Sequence, residues 1–332
     1  MKHPNPITCV SDVNCQPFRD AMGLWSGMYG RAEGAPLTAH RDLLSLLPEA
    51  IATIAEDGEQ AFPRRHAAGL LLGLVGDPRI VPCNPLMITI TGNTFLQGTK
   101  SDSVDRIVER WSSVGVRREF IVKECPCHNV TLNTFRIGKY LVTNYEYLQF
   151  VLDQTPDELP SSWEFGVYPE ERSNHPVYTI SPESADEYVA WLRSRTGRRW
   201  RLPTESEWEY AACGEARLEY PWGNQFDPNR ANTVELGPLR STPVGIYPQG
   251  ASPFGILDMA GNVEEYVADV YSPYPGGTFV YDDLARDGSY RIARGGSFTR
   301  YGDLARCSRR HGRFNSALYP IGFRLAEDLM DE

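Results

Sequence analysis

The loop Asp258-Met259-Ala260-Gly261-Asn262-Val263-Glu264-Glu265 brackets backbone carbonyls with carboxylates inside one tight stretch of chain. Hard oxygen donors at that spacing suit Ca²⁺, and a hydrogen-bonded loop without metal is the alternative. The thiols offer less. Seven cysteines (Cys9, Cys15, Cys83, Cys125, Cys127, Cys213 and Cys307) are an odd number without framework spacing, which argues for reduced thiols rather than a disulfide scaffold. Cys125, Cys127 and His128 lack the second CxxC or HxxxH that would complete a metal site, so a strand entering a core accounts for them better. No GxSxG elbow, P-loop or dinucleotide glycine motif organises the serines, histidines and aspartates. Glu205, Glu207 and Glu209 fall in one helix, where capping and solvation explain them better than acid–base work. Between Arg291 and Arg324 there are eight arginines and one aspartate. Either one face near the C-terminus is basic, or these guanidinium groups pair with carboxylates elsewhere in an acidic chain.

The elements that must hold these residues change texture along the 332-residue chain. Leu43, Leu46, Leu47, Ile51 and Ile54, then Leu70, Leu71, Leu74 and Val75, recur at helical spacing before a Gly76-Asp77-Pro78 stop. Residues 1–85 therefore read as a helical segment with a core or docking role, in which His40 and His66 have no acidic or thiol partner nearby in sequence. After Pro82 the pattern turns to strands and loops. Met87 to Thr99 alternates apolar and polar residues, which predicts a strand pair turning at Gly92-Asn93. Thr143-Asn144 opens a helix with a short polar cap. Ser181-Pro182 opens another that stops at Gly197, and Thr204 with Glu207 makes a capping box. Beyond Gly214 the abundance of Gly, Pro, Asn and aromatics predicts long packed loops. A net charge of −10 argues against nucleic-acid phosphates as a partner. No run of roughly 18 apolar residues exists to cross a bilayer, and the first residues lack the apolar run of a secretion signal. The expectation is a soluble, cytoplasmic protein with no membrane partner.

Several blocks stand in a specific order and spacing: KYLVTNYEY, HPVYTIS, RLPTESEWEYAA (201–212), YPWGN (220–224), STPVGIYP, FGILDMAGNVEEY (254–266), RGGSF and GFRLA. From about Met87 to Ala326 the chain closely resembles the formylglycine-generating enzyme, or sulfatase-modifying factor, family. The resemblance implies that residues 86–332 form an α+β domain of the C-type lectin-like kind: a small twisted sheet, two flanking helices, many loops, and a ligand surface on loops and final strands. Family members bind calcium through positions matching Asp258, Gly261, Val263 and Glu265, so these residues are expected to hold Ca²⁺. The family's second calcium loop would start near Asn232, but the stretch from Val234 to Ser241 is short and lacks a carboxylate in the matching place.

The family's oxidase chemistry runs on copper held by two thiolates, the soft donors that Cu(I) requires. Those positions, counted from Gly295-Gly296-Ser297-Phe298, hold Arg300 and Ala305 here. Cys307 matches a small packing residue instead. Related sulfoxide synthases bind iron through histidines of an added helical domain, and here that segment offers His40 and His66 only. Neither copper nor iron is expected. The chain also looks like the variable proteins of diversity-generating retroelements, in which the segment between RGGS[FW] and GFR displays a binding surface. That resemblance implies a ligand site at Phe298, Thr299, Arg300, Tyr301, Arg309, His311, Gly312, Arg313, Leu318, Tyr319 and Pro320, with Arg306, Ser308, Arg310 and Ala317 as framework. Tyr and Arg supply the planar contacts and donors that favour protein recognition. The expected function is non-catalytic binding of a protein or other macromolecule, with the N-terminal helices as a docking or assembly element. The alternatives are an oxidoreductase of the formylglycine-generating type or its non-haem-iron relative, a structural adaptor, or a diverged member whose loop drifted after catalysis was lost.

Overall fold

Local chemistry starts three helices where the sequence places them, at Thr143, Ser181 and Thr204. The computed structural model describes residues 18–24, 36–285, 288–313 and 318–329. Short turns α1 (Phe18–Ala21) and α2 (Pro36–Ala39) precede α3 (Pro48–Ala55) and α4 (Phe62–Val75), and both longer helices carry proline in the first turn. Leu43, Ile51, Ala55, Ala68, Leu71 and Leu72 seal this pair. It lies directly on the rest of the chain. A Cβ on Gly69 would sit 2.8 Å from Pro243, so only glycine lets α4 approach so closely. The Arg65 guanidinium donates to the Ile246 carbonyl, and Glu56 accepts from Arg79, Lys139 and Tyr140.

The hairpin expected at Gly92-Asn93 does not form. Strand β1 (Met87–Ile90) pairs with β4 (Phe135–Gly138), and β2 (Thr94–Gln97) pairs with β3 (His128–Thr131), all antiparallel. Two helices the sequence did not announce, α5 (Val104–Trp111) and α6 (Arg118–Val122), carry the chain from β2 to β3 around a core of Val104, Ile107, Phe120 and Ile121. Ile90 and Phe135 face each other and are both buried, so cross-strand burial with β4 replaces the tight turn.

Helices α7 (Asn144–Gln154), α8 (Pro182–Thr196) and α9 (Glu205–Cys213) begin at Thr143, Ser181 and Thr204 as read from sequence. Thr143 with Glu146 and Thr204 with Glu207 complete capping boxes, and Gly197 ends α8 at φ 70°. One sheet has the order β1-β4-β10-β5, with β5 (Trp200–Arg201) and β10 (Ala326–Asp328) at the far side. A second runs β8-β7-β6-β9, from β6 (Glu264–Val270), β7 (Arg291–Arg294), β8 (His311–Gly312) and β9 (Ile321–Phe323). Successive residues of a strand face opposite sides. On β6, Tyr266 joins Ala293, Tyr319 and Phe323 against α8, whereas Val267 joins Trp208 and Ile292 on the other side. The architecture is α+β with long packed loops after Gly214. No helix among the described residues is long and apolar enough to cross a membrane.

Candidate binding site

The chain leaves β7 at Arg294, turns through Gly295 and Gly296 at φ 93° and 70°, returns as β8 and closes on β9. Ala293 lies opposite His311, and Glu264 pairs in register with Ile321. Both ends of the segment expected to bind ligand are thus anchored on the same sheet.

That segment does not form the open surface the resemblance implied. Phe298, Thr299, Tyr301, Arg309, His311 and Tyr319 are buried, none more than 8% exposed. Gly312 and Pro320 are buried as well, Arg300 and Arg313 are half-buried, and Leu318, 53% exposed, faces solvent. Ala317, Cys9 and Cys15 lie outside the described residues. Two causes account for the burial. The chain's own Met22 covers part of the segment: its carbonyl accepts from the Tyr301 hydroxyl at 3.0 Å, and its side chain sits with Tyr301 and Val234. The segment's arginines, in turn, reach inward, Arg300 to the Tyr319 hydroxyl, Arg309 to Asp303 and Arg313 to the Ile180 carbonyl.

Thr299, Arg300, Tyr301, Arg309 and His311 line one cavity of about 50 Å³, shared with Phe120, Lys123 and Asp282. Behind it, the fully buried Glu264 accepts from His311 Nδ1 at 2.6 Å and from the Tyr319 hydroxyl at 2.8 Å. Arg300 donates to the same hydroxyl at 3.1 Å. Burial draws His311 below the ordinary histidine range despite the Glu264 carboxylate, and it pushes Tyr319 up. A neutral imidazole donating through Nδ1 to Glu264 keeps Nε2 as an acceptor. Lys123 Nζ meets Asp282 at 2.6 Å with both side chains sealed from solvent, and burial lowers the ammonium to about 8. Arg309 is held by Asp303 and by the Phe120 carbonyl. Cations and carboxylates alternate around the cavity, which suits a polar, uncharged group better than an isolated ion.

The remaining arginines form no basic face. Arg294 pairs with Glu209, Arg306 with Glu124, Arg310 with Glu205 and Arg324 with Glu265, all buried. Of the two readings open in the sequence, pairing with distant carboxylates is the one the structure contains. Glu205, Glu207 and Glu209 are consequently not solvated: each is buried, with Arg310, Arg201 and Arg294 as partners.

Calcium in the Asp258 loop meets a competitor. Glu265 gives both oxygens to Arg324 and accepts from Trp208 Nε1 at 3.0 Å. Asp258 accepts from the Gly245 amide at 2.7 Å, and burial raises its carboxyl to about 6. The carboxylate pair that would attract the ion therefore already carries a guanidinium counter-charge. Among the described residues no three His, Cys, Asp or Glu side chains group to hold a metal. Where copper ligands would stand, Arg300 binds Tyr319 and Ala305 is buried in an apolar cluster. Cys307 shares the core with Cys213, and burial pushes Cys213 up to about 12 and Cys307 well above its usual range.

Sequence reasoning missed Glu264, Lys123, Phe120 and Asp282. Glu264 left a trace, because adjacent glutamates entering a strand must point to opposite faces. Lys123 and Asp282 are 159 residues apart, and nothing local joins them.

A family model for the sulfatase-modifying factor enzyme 1-like domain matches residues 77–329. The chain is 30% identical over 270 residues to a Chlamydia caviae protein described as serine/threonine-protein kinase pkn1, covering 73% of this chain and 38% of that one. It is 32% identical over 285 residues to hercynine oxygenase from Mycolicibacterium smegmatis, covering 73% of this chain and 61% of the relative. It thus spans less than two thirds of either relative's length. A mouse protein described as inactive C-alpha-formylglycine-generating enzyme 2 is 30% identical over 318 residues, or 77% of this chain and 91% of that one. Among solved structures, Treponema denticola variable protein 1 shares the fold with a TM-score of 0.53 at 20% identity, over 73% of this chain and 94% of that chain. With a core, caps and motif order that agree with the match, the chain belongs to the sulfatase-modifying factor enzyme 1-like family.

Proposed function

We propose that this protein binds a peptide segment of a partner protein and performs no oxidase chemistry, with the segment from Phe298 to Pro320 as its site. The observation that carries the reading is the seat that Met22 already takes. One backbone carbonyl on the Tyr301 hydroxyl and one apolar side chain against Tyr301 and Val234 are what a peptide turn with an apolar residue offers. The balanced charges of the adjoining cavity favour an amide over an ion. Arg300 and Ala305 in place of thiolates support the non-catalytic side, as does similarity to a relative described as inactive. Diversification of the segment, in the manner of retroelement variable proteins, and a cytoplasmic location belong to the same proposal.

The test uses the chain's own sequence as probe. Met22→Asp places a charge in the apolar seat, and a labelled peptide with the sequence of residues 18–24 is then titrated into that variant. Binding that disappears with Tyr301→Phe supports the site; no binding, or binding indifferent to Tyr301, rejects it. Copper reconstitution with a thiol peptide should give no O₂ consumption, and turnover would return the oxidase reading. Calcium at Asp258, Gly261, Val263 and Glu265 is a separate proposal, since the ion must take Glu265 from Arg324. A rise in Tm with Ca²⁺ that Glu265→Gln removes supports it, and an unchanged Tm rejects it.

A further inference from the structure

A second recess, of about 330 Å³, opens between α5, α9 and the chain around Arg306. Lys100, Arg106, Arg110, Arg217 and Arg306 line it, against the carboxylates Glu209 and Glu219. Both carboxylates are already engaged. Glu209 accepts from the Gly98 amide at 2.7 Å and from Arg294, while Glu219 holds Arg110 through two bonds of 2.7 and 3.1 Å. Arg306 is 1% exposed and gives two nitrogens to Glu124, so it is matched as well. Arg217 donates to the Gly98 carbonyl and Arg106 reaches only the Ser103 hydroxyl, at 3.5 Å. Among the described residues, Lys100, Arg106 and Arg217 form no ion pair.

We propose that this recess binds a small phosphate-bearing molecule. In a chain of net charge −10, unmatched cations gathered around one concavity call for an anion from outside. Guanidinium forks match the geometry of phosphate oxygens, and Arg106 and Arg217 line the recess without a carboxylate partner among the described residues. The volume exceeds that of phosphate alone, and Ile107 and Leu218 give an organic moiety an apolar wall. Cys213 and Cys307 also line the recess, and burial keeps both thiols protonated, so they add no opposing charge.

The full chain is titrated with inorganic phosphate, sulfate and a nucleoside monophosphate, followed by calorimetry and thermal shift at constant ionic strength. Saturable phosphate binding should weaken about tenfold for each arginine removed in Arg106→Gln and Arg217→Gln, the cost of a charge-assisted hydrogen bond. Lys100 and Arg106 are exposed, so Lys100→Gln with Arg106→Gln tests the site without loss of folding. Tighter binding of the monophosphate assigns the ligand to organic phosphates, and equal binding assigns it to phosphate itself. Variants that bind like wild type, or a response no larger than that to chloride, overturn the proposal. Tyr301→Phe should leave phosphate binding unchanged, which separates this site from the peptide seat.

Discussion

Glu264 and Glu265 are neighbours on one strand, equally buried, and they do opposite things. Glu265 faces α9 and is closed on all sides by Arg324 and Trp208. Glu264 lies behind the cavity and is held by His311 and Tyr319, both of which exchange protons or hydrogen-bond roles more readily than a guanidinium. Burial alone does not mark a functional carboxylate in this fold. The distinction lies in the partner: a fixed bidentate cation makes a structural joint, whereas a histidine–tyrosine pair beside a cavity leaves a group that can answer a ligand.

Breaking the Glu265 side should have the largest effect. Arg324→Leu leaves an uncompensated buried carboxylate, at a cost of about 3–5 kcal/mol, read as a fall in the midpoint of chemical denaturation. Glu264→Gln keeps the shape and removes the charge shared by His311 and Tyr319, which should cost about 1–3 kcal/mol. Equal losses from the two substitutions would erase the proposed distinction. A Glu264→Gln variant that unfolds like wild type but binds the residue 18–24 peptide differently would sharpen it.

How much of this was legible in the sequence follows from the range over which each cause acts. Capping at Thr143, Ser181 and Thr204 depends on residues three apart, and all three helices start there. The family motifs carried the fold for the same reason, since each is a short run. Strand pairing was misread at Gly92-Asn93 because the competing partner of β1 lies beyond an insertion of two helices. The candidate site was half legible. The order of RGGSF and GFR located Tyr301, His311 and Tyr319, but exposure is set by what covers them, and Met22 is 279 residues from Tyr301. The arginine-rich stretch left a basic face and distant pairing both open for similar reasons: its glutamate partners sit in α9, on β6 and before β3.

A pH series probes a different joint, between α4 and the chain packed against it. His66 is buried there and burial lowers it to about 4. Its folded value is below the unfolded one, so its contribution is complete above about pH 6.5 and diminishes as pH falls toward 4, where the folded imidazole finally takes its proton. Glu146, raised to about 7 by burial, and Asp258, raised to about 6, act in the opposite sense, since their folded forms hold a proton that the unfolded chain releases. The comparison is therefore wild type against His66→Gln. Wild type should lose about 1 kcal/mol more between pH 6.5 and 5.5, measured as urea midpoints, and parallel pH curves would show that α4 does not seat His66 as a neutral group.

Leu318 gives the smallest expected stability change and the cleanest separation of folding from binding. It is 53% exposed within a segment whose other described members are buried or half-buried. An exposed leucine removed from contact with the core leaves no cavity, so Leu318→Asp should move stability by less than about 0.5 kcal/mol. If a bound peptide extends from Tyr301 to the exposed part of the segment, the same substitution replaces an apolar contact with a charge and should weaken capture of the residue 18–24 peptide by the Met22→Asp chain. A stability loss as large as that of Glu264→Gln would mean that Leu318 is part of the structural side of the comparison, and unchanged peptide affinity would place the rim of the site elsewhere along the segment.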